Sequence, residues 1–317
     1  MIKYKAKNSL KSPRFAGVKT FMRMEHVVTT DDIDFAVVGI PYDTCASFRV
    51  GTRLGPAAIR DASALAAKPF NGPLNVGIFD WCSGVDYGDL GSVPGYIEES
   101  FELITEGMLP FFEKGIVPVA MGGDHSVTLP ELRACSYSLI RHKRVAHVMG
   151  VEEEAVKLAK FWGADPELAR HAGILHDCTK YLELAPQLHL CAKYGIELDA
   201  LEQKAVKLLH SKTGACMARY VFGEPDEVYE AIFWHTTGKA DMTLLDKILY
   251  MADYIEPNRD FEGVERLRRL AYTDLDQAML LGVESTIREM EERGVPVHIN
   301  TIQARQWLLD RGVKLEE

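Results

Sequence analysis

Histidine and aspartate side chains recur in the second half of the sequence at positions where they can share the inner faces of helices. His147 repeats with apolar residues at spacings of three and four, the pair His176-Asp177 follows a face of small residues, and Asp253 lies inside the apolar stretch ILYMADYI. Residues three and four apart share one helix face, so each group is expected to point inward. Imidazole and carboxylate ligands together suit iron, manganese or zinc rather than calcium. The order of these residues therefore predicts a metal site assembled from separate helices.

Asp253 contributes most to this interpretation, because a carboxylate among apolar residues is costly to bury unless it is paired, protonated or bound to metal. Its helix is predicted to begin after Thr243, with Asp246 three residues later in a variant of the capping box. Any one of the histidines alone is more often a hydrogen-bonded or surface residue, and a His-Asp pair can occur by chance. The metal interpretation rests on the conjunction of all the positions, in order.

The two parts of the sequence have different patterns. The first 134 residues alternate strand and helix signals, whereas almost everything from Cys135 onward is amphipathic helix. We predict a mixed fold, in which a partial α/β domain with a parallel sheet (residues 1–134) is joined to an all-α helical bundle (residues 135–317). The predicted elements are strands at Ile33–Ile40, Leu74–Phe79 and Ile116–Met121, helices at Ala57–Ala66, Ile97–Phe112 and His142–Trp162, a helix from Pro166 with Asp165 as its N-cap, and a helix from about Asp199 that His210 closes.

Composition limits the class of function. The 317 residues carry a formal net charge of −10, which argues against general nucleic-acid binding. No apolar run reaches the ~20 residues needed to span a bilayer, and the N-terminus lacks the apolar segment of a secretory signal. The six cysteines are scattered without a C-x-x-C pair, which is typical of reduced thiols, so we expect a cytoplasmic protein.

The segments around the predicted ligands resemble the HD superfamily of metal-dependent phosphohydrolases, and within it the symmetrical bis(5′-nucleosyl)-tetraphosphatases. The resemblance is carried by KRVAHVMGV (143–151), GADPELARHAGILHDCTK (163–180), HTTG (235–238) and KILYMADYIEPNRDFEGVERLR (247–268), and it covers nearly all of residues 135–317. It implies a centre of two iron ions, or of iron and manganese, in which Asp177 is the bridging carboxylate. The implied ligands are His147, His176, Asp177, His210, His235 and Asp253.

The same resemblance implies the reaction, in which a metal-bound hydroxide attacks diadenosine tetraphosphate and cleaves it symmetrically into two ADP. Asp177 and Lys180 are expected to act in catalysis. For the cationic residues, a solvated helix face is the competing interpretation. The predicted partner is a nucleotide substrate, without nucleic acid or membrane, and a homodimer is left open as the assembly. The predicted substrate contacts are Arg144, Thr237, Gly238 and Arg259.

The first 134 residues resemble a second, unrelated family, the agmatinase and arginase ureohydrolases. The resemblance is carried by SFRVGTRLGPAAIRDAS (47–63), GVDYGDLG (84–91) and GGDHSVTLPELR (122–133). His125 matches a manganese ligand of that family, but the family's D-x-H-x-D and D-x-D-x-x-D-P motifs do not occur in the sequence. One histidine cannot hold a binuclear manganese cluster, so we predict that the chain has no ureohydrolase activity.

The change between the two resemblances, near Ala134, falls inside the ureohydrolase domain rather than at a domain boundary, which indicates a chimeric chain. A parallel sheet that stops there would expose a strand edge. An interaction or dimerisation module is the alternative interpretation of the N-terminal half. For the whole chain, the alternatives are another HD nucleotidase or cyclic-nucleotide phosphodiesterase, a nucleotide-binding module without turnover, and a ureohydrolase, which the missing motifs disfavour.

Overall fold

The protein is described by a computed structural model that covers residues 2–8, 11–66 and 68–315. The chain divides into two compact units, residues 1–138 and 139–317. The mixed fold predicted from the sequence is confirmed, because the first unit contains a parallel sheet and the second is helical. No helix within these described ranges is long and apolar enough to cross a membrane.

The N-terminal unit contains strands and helices in alternation. They are β1 (Phe35–Gly39), α1 (Gly55–Ala66), β2 (Phe70–Asn71), β3 (Val76–Gly77), β4 (Gly84–Asp89), α2 (Ile97–Glu113), β5 (Val117–Met121) and α3 (Thr128–Ser138). The unit is built around a small parallel sheet with the strand order β4-β1-β5, and β2 and β3 form a separate antiparallel pair. Position 134, where the sequence predicts the domain boundary, falls inside helix α3, and the boundary stays a prediction.

The strand predicted at residues 74–79 is wrong. These residues form a turn, the two-residue strand β3 and the beginning of a 3-10 helix at Ile78–Asp80. The side chains of Leu74, Val76 and Ile78 are exposed, Leu74 by 70%, whereas Phe79 is partly buried. Asn75 adopts a positive φ of 53°. The sheet instead recruits β4, whose sequence GVDYGD has no continuous apolar run. Apolar periodicity therefore could not identify this strand.

β1 is the central strand, and β4 and β5 both pair with it in parallel along Phe35–Gly39. Val38 of this strand packs in one buried cluster with Phe111 of α2. In the described part of the chain β5 pairs only with β1, and its Val117 and Val119 are 60% and 42% exposed. The open strand edge expected from the position of the join is thus present.

The second unit is a bundle of helices. They are α4 (His142–Trp162), α5 (Pro166–Leu175), α6 (Leu184–Lys193), α7 (Val206–Tyr220), α8 (Asp226–Trp234), α9 (Leu244–Ile255), α10 (Val264–Ala271), α11 (Leu275–Glu292) and α12 (Ile299–Asp310). In this bundle α4 packs against α5, α7 packs against α8, and α9 packs against both α4 and α8.

Local sequence signals set several of these helix boundaries. The helix predicted from about His142 to Trp162 is confirmed, and its bounds in the structure are His142–Trp162. Asp165 caps α5 by accepting hydrogen bonds from two backbone N–H groups, with Pro166 at the first helical position. α9 begins with a full capping box between Thr243 and Asp246. These three predictions succeed because each depends on residues close together in the chain.

The predicted position of His210 at the end of its helix is wrong. The helix begins at Val206, after a short 3-10 helix at Glu202–Lys204, and continues to Tyr220. His210 therefore lies in the first half of α7.

The small residues identified in the sequence allow close packing of α4 against α5. A Cβ on Gly173 would lie 2.7 Å from the backbone of α4, so this glycine allows the two helices to approach.

Candidate metal centre

The six side chains predicted as metal ligands lie together in the second unit. Three of them lie on α4, α7 and α9, and the other three lie just after the C-terminal ends of α5 and α8. Five of the six are buried, and the aspartate of α9 is partly exposed. They are His147 of α4, His176 and Asp177 after α5, His210 of α7, His235 after α8 and Asp253 of α9.

One group of potential ligands combines His147, His176 and Asp253. The Nε2 atom of His147 lies 3.3 Å from Nε2 of His176 and 3.1 Å from Oδ1 of Asp253. The distance between His176 Nε2 and Asp253 Oδ1 is 4.0 Å. Two imidazoles and one carboxylate thus present three donor atoms to a single point, which is a common arrangement for a transition metal.

A second group combines Asp177, His210 and His235. His210 Nε2 lies 3.2 Å from Asp177 Oδ1 and 3.2 Å from His235 Nε2, and His235 Nε2 lies 4.0 Å from the same carboxylate oxygen. The donor types match those of the first group. The side chains offer a second set of two imidazoles and one carboxylate.

Asp177 faces both groups with different oxygens. Its Oδ2 atom lies 3.8 Å from His147 Nε2 and 3.6 Å from His176 Nε2, whereas its Oδ1 atom faces His210. A carboxylate that presents one oxygen to each of two neighbouring ligand sets has the geometry required to bridge two metal ions.

The hydrogen bonds of the histidines fit metal ligands. The Nδ1 atoms of His176, His210 and His235 each lie 2.7 Å from a backbone carbonyl oxygen, and that of His147 lies 3.0 Å from a carboxylate oxygen of Glu256. Because these oxygens only accept hydrogen bonds, each Nδ1 carries the proton and each Nε2 of a neutral ring keeps its lone pair. Lone pairs that face each other at about van der Waals distance repel, and a cation between them removes that repulsion. The donor set therefore fits two cations.

The ionisation states agree with this arrangement. Burial lowers the pKa of His176 to about 4, and burial together with repulsion from His210 lowers the pKa of His235 to about 3. Burial by itself would raise the pKa of Asp177 and Asp253, but the surrounding histidines and cations outweigh it and hold both pKa values well below the usual range. At neutral pH the two carboxylates are charged and these two imidazoles neutral, as metal ligation requires.

Three cationic side chains contact the same carboxylates. Arg144 donates from Nε to Asp177 Oδ2 at 2.8 Å, and Lys180 Nζ lies 3.0 Å from Asp177 Oδ1. Arg259 donates from Nη2 to Asp253 Oδ1 at 2.7 Å. These cations are 20%, 32% and 33% exposed along their side chains, so they lie between the buried ligands and solvent. Their expected role in phosphate binding stays a prediction that this placement favours.

The side chains of the HTTG segment differ in exposure, and the substrate contacts predicted at Thr237 and Gly238 stay predictions. Thr237, expected to contact substrate, is buried, and its hydroxyl donates to the Gly238 carbonyl at 2.9 Å. Gly238 has a positive φ of 67°, and a Cβ there would lie 3.3 Å from Ala304. The partly exposed hydroxyl is that of Thr236, which lies 3.3 Å from His235 Nε2. Sequence analysis did not single out Thr236, although its place beside a predicted ligand was a usable signal.

Glu256 is a further residue that sequence analysis missed. Its side chain is 1% exposed and accepts from the His147 ring, and its second oxygen accepts from the backbone and side chain of Asn258. A usable signal was present, because Glu256 lies three residues after Asp253 in the quoted stretch. Thr179 has a similar supporting role, since its hydroxyl donates to the His210 carbonyl at 2.9 Å.

Comparison with known proteins agrees with the geometry. The HD domain family matches residues 144–258. The symmetrical bis(5′-nucleosyl)-tetraphosphatase of Bacillus subtilis is 36% identical over 180 residues, which are 56% of this chain and 96% of that protein. The chain belongs to the HD-domain hydrolases. A crystal structure of another HD-superfamily hydrolase, from Clostridium acetobutylicum, is 40% identical, with a TM-score of 0.56 over 57% of this chain and 96% of that one.

The N-terminal part of this HD-domain hydrolase has a different relationship. The arginase family matches residues 33–149. The guanidinobutyrase of Pseudomonas aeruginosa is 38% identical over 125 residues, so the chain spans only 39% of that relative's length. The chimeric architecture predicted from the sequence is therefore confirmed. His125, which matches a metal ligand of the arginase family, is exposed, and each group of potential ligands found among the described residues lies in the second unit.

Proposed function

We propose that the chain is a dinucleoside polyphosphate hydrolase that cleaves diadenosine tetraphosphate symmetrically into two ADP. The observation that carries this proposal is Asp177, which presents one oxygen to each of two histidine groups. Phosphoryl transfer often uses two metal ions that clamp the attacking and leaving oxygens. The name of the Bacillus subtilis relative supplies the substrate and the symmetrical outcome.

The proposed cofactor is a pair of iron ions, or one iron and one manganese ion. His147, His176 and Asp253 would hold one ion, His210 and His235 the other, and Asp177 both. When bound, two such ions supply Lewis acidity for the phosphoryl oxygens and a lowered pKa for water. The buried imidazoles and charged carboxylates match the mixed nitrogen and oxygen ligation that iron and manganese accept.

Three cationic side chains and one hydroxyl group beside the six predicted ligands would bind and orient the polyphosphate. Arg144, Lys180 and Arg259 lie at the partly exposed side of the ligand cluster, where their charges can neutralise a tetraphosphate. Arg259 also donates to the Asp253 backbone carbonyl, so it fixes the end of α9 as well as the carboxylate. Thr236 offers a hydroxyl beside His235 that can donate to a phosphate oxygen.

Product analysis tests the proposal. Purified full-length protein is incubated with diadenosine tetraphosphate and Fe²⁺ or Mn²⁺, and ADP is separated from AMP and ATP. ADP as the sole product supports symmetrical cleavage. Equal amounts of AMP and ATP would refute the symmetrical mode, and no turnover by protein that retains metal would refute the substrate and favour another HD nucleotidase or phosphodiesterase.

A further inference from the structure

A buried polar cluster lies in the second unit apart from the six predicted ligands. His298 is the N-cap of α12, and its Nε2 atom lies 3.2 Å from Asp199 Oδ2 and 3.2 Å from Glu202 Oε1. Glu202 also forms an ion pair with Lys212 of α7. His298, Glu202 and Lys212 are buried, and Asp199 is exposed. Three buried polar side chains from three separate segments therefore meet, and the exposed Asp199 adjoins them.

This cluster is not suited to a metal ion, although its ligand atoms lie within 4.8 Å of one another. The backbone N–H of Asn300 donates to His298 Nδ1 at 3.2 Å, so Nδ1 cannot carry a proton. The ring proton is then on Nε2, which faces the carboxylates as a donor and not with a lone pair. Neither carboxylate oxygen forms an aligned hydrogen bond with Nε2, so the attraction is mainly electrostatic.

The cluster is connected to both histidines of the second ligand group. Glu202 precedes α7, and its partner Lys212 lies two residues after His210. From the other side of the cluster, α12 reaches the loop after His235, because the hydroxyl of Thr301 donates to the Thr237 carbonyl at 2.9 Å. The N-terminal end of α12 is thus attached to two segments, the one that carries His210 and the one that carries His235.

We propose that His298 is a positioning residue for the second ligand group, Asp177, His210 and His235. By holding Asp199 and Glu202 against the first turn of α12, it fixes the distance between α7 and the loop after His235. That distance sets how the Nε2 atoms of His210 and His235, now 3.2 Å apart, converge. α12 also contacts α9, which carries Asp253 of the first ligand group, but it does so at Trp307, more than two turns away from His298, where Lys247 Nζ lies 5.3 Å from the ring centroid. The inference rests on the metal-binding part of the proposed function.

Two substitutions separate this role from simple helix capping. His298→Asn keeps a side-chain acceptor at the N-cap, where asparagine is favourable, but its amide is too short to reach Asp199 and Glu202. His298→Gln extends a donor as far as the imidazole Nε2 but gives up the short-range cap. A third variant, Asp199→Asn, removes one charge that faces His298 while its side-chain oxygen can still accept from the two backbone N–H groups of this turn.

The experiment is a calorimetric titration of metal-free, full-length protein with Mn²⁺, together with circular dichroism to check folding. Wild-type protein should bind two Mn²⁺ per chain. His298→Asn should weaken one site by up to about tenfold, the low end of the loss seen for residues that directly orient metal ligands, because His298 acts through Glu202 and Lys212. The other site should be unchanged. Asp199→Asn should weaken the same site as His298→Asn but by less, and His298→Gln should keep both. In a His147→Ala background, which loses a ligand of the first group, His298→Asn should weaken the remaining site.

Several outcomes would overturn the inference: unchanged Mn²⁺ binding in His298→Asn, equal weakening of both sites, a loss in His298→Gln as large as in His298→Asn, or fewer than two Mn²⁺ in wild-type protein. If wild-type protein binds two Mn²⁺ but does not hydrolyse diadenosine tetraphosphate, the proposed substrate fails while the positioning role of His298 is still decided by the titration.

Discussion

Replacing Glu256 with glutamine should weaken metal binding at the first ligand group. One carboxylate oxygen of Glu256 accepts from the His147 ring at 3.0 Å, and the other accepts from the Asn258 backbone at 2.7 Å and from its side chain at 2.9 Å. Both oxygens therefore face donors. A glutamine must turn its NH₂ group toward one of these donors in either orientation, so one buried contact becomes repulsive.

The substitution should have two effects of similar size, one on the free energy of unfolding and one on metal affinity. A buried polar group that loses its partner costs about 1–3 kcal/mol. Loss of a partner that orients a metal ligand lowers metal affinity by about 10- to 100-fold, which corresponds to about 1.4–2.8 kcal/mol. Because Glu256 is 1% exposed along its side chain, solvent does not compensate for the lost carboxylate. We expect one of two Mn²⁺ sites to weaken by about 10- to 100-fold in Glu256→Gln.

The assay is a Mn²⁺ titration of metal-free protein near neutral pH, with Glu224→Gln as the matched control. Glu224 contacts His171 Nδ1 at 3.0 Å, so it forms the same kind of carboxylate–imidazole contact without touching any of the six predicted ligands. Wild-type affinity in Glu256→Gln, or an equal loss in Glu224→Gln, would refute the reasoning.

Four further predictions follow from individual residues. Asp177→Asn should abolish hydrolysis and lower metal content, because it removes the charge shared by both ligand groups; activity and metal analysis together measure this. Gly173→Ala should destabilise the protein by about 1–3 kcal/mol in urea denaturation, since its Cβ would lie 2.7 Å from the backbone of α4. The hydrogen bond that the His171 ring donates to Glu224 raises the pKa of His171, so the pair stabilises the folded state at low pH and loses this effect as pH rises through the folded-state pKa. The Tm deficit of Glu224→Gln should therefore be larger at about pH 6 than at about pH 9. His125→Ala should leave hydrolysis of diadenosine tetraphosphate unchanged, because this exposed histidine belongs to the first unit, and a large loss of rate would contradict that separation.

Sequence reasoning succeeded where the signal is local. The bounds of α4, the cap at Asp165 and the capping box of α9 depend on residues within one helical turn. The candidate ligands were also accessible, because histidine and aspartate on apolar helix faces are unusual and their order is specific. Their metal-binding roles stay predictions, which the convergence of their side chains favours.

Sequence reasoning failed where the outcome depends on residues distant in the chain. β4 has little apolar character and becomes a strand by pairing with β1, whereas Leu74, Val76 and Ile78 of the more apolar segment remain exposed. Glu256 contacts the His147 ring although 109 positions separate the two residues in the chain. His298 contacts Glu202 although helices α7 to α11 lie between them in the chain. Such partners carry no periodic signal, so only the folded arrangement reveals them.

The central claim is that Asp177 lies between two metal ions, and anomalous diffraction tests it most directly. Crystals of the full-length protein grown with Mn²⁺ would be measured at the manganese absorption edge. The account predicts two anomalous peaks per chain, one beside the Nε2 atoms of His147 and His176 and one beside those of His210 and His235, on either side of the Asp177 carboxylate. A single peak, or two peaks that do not share Asp177, would contradict it.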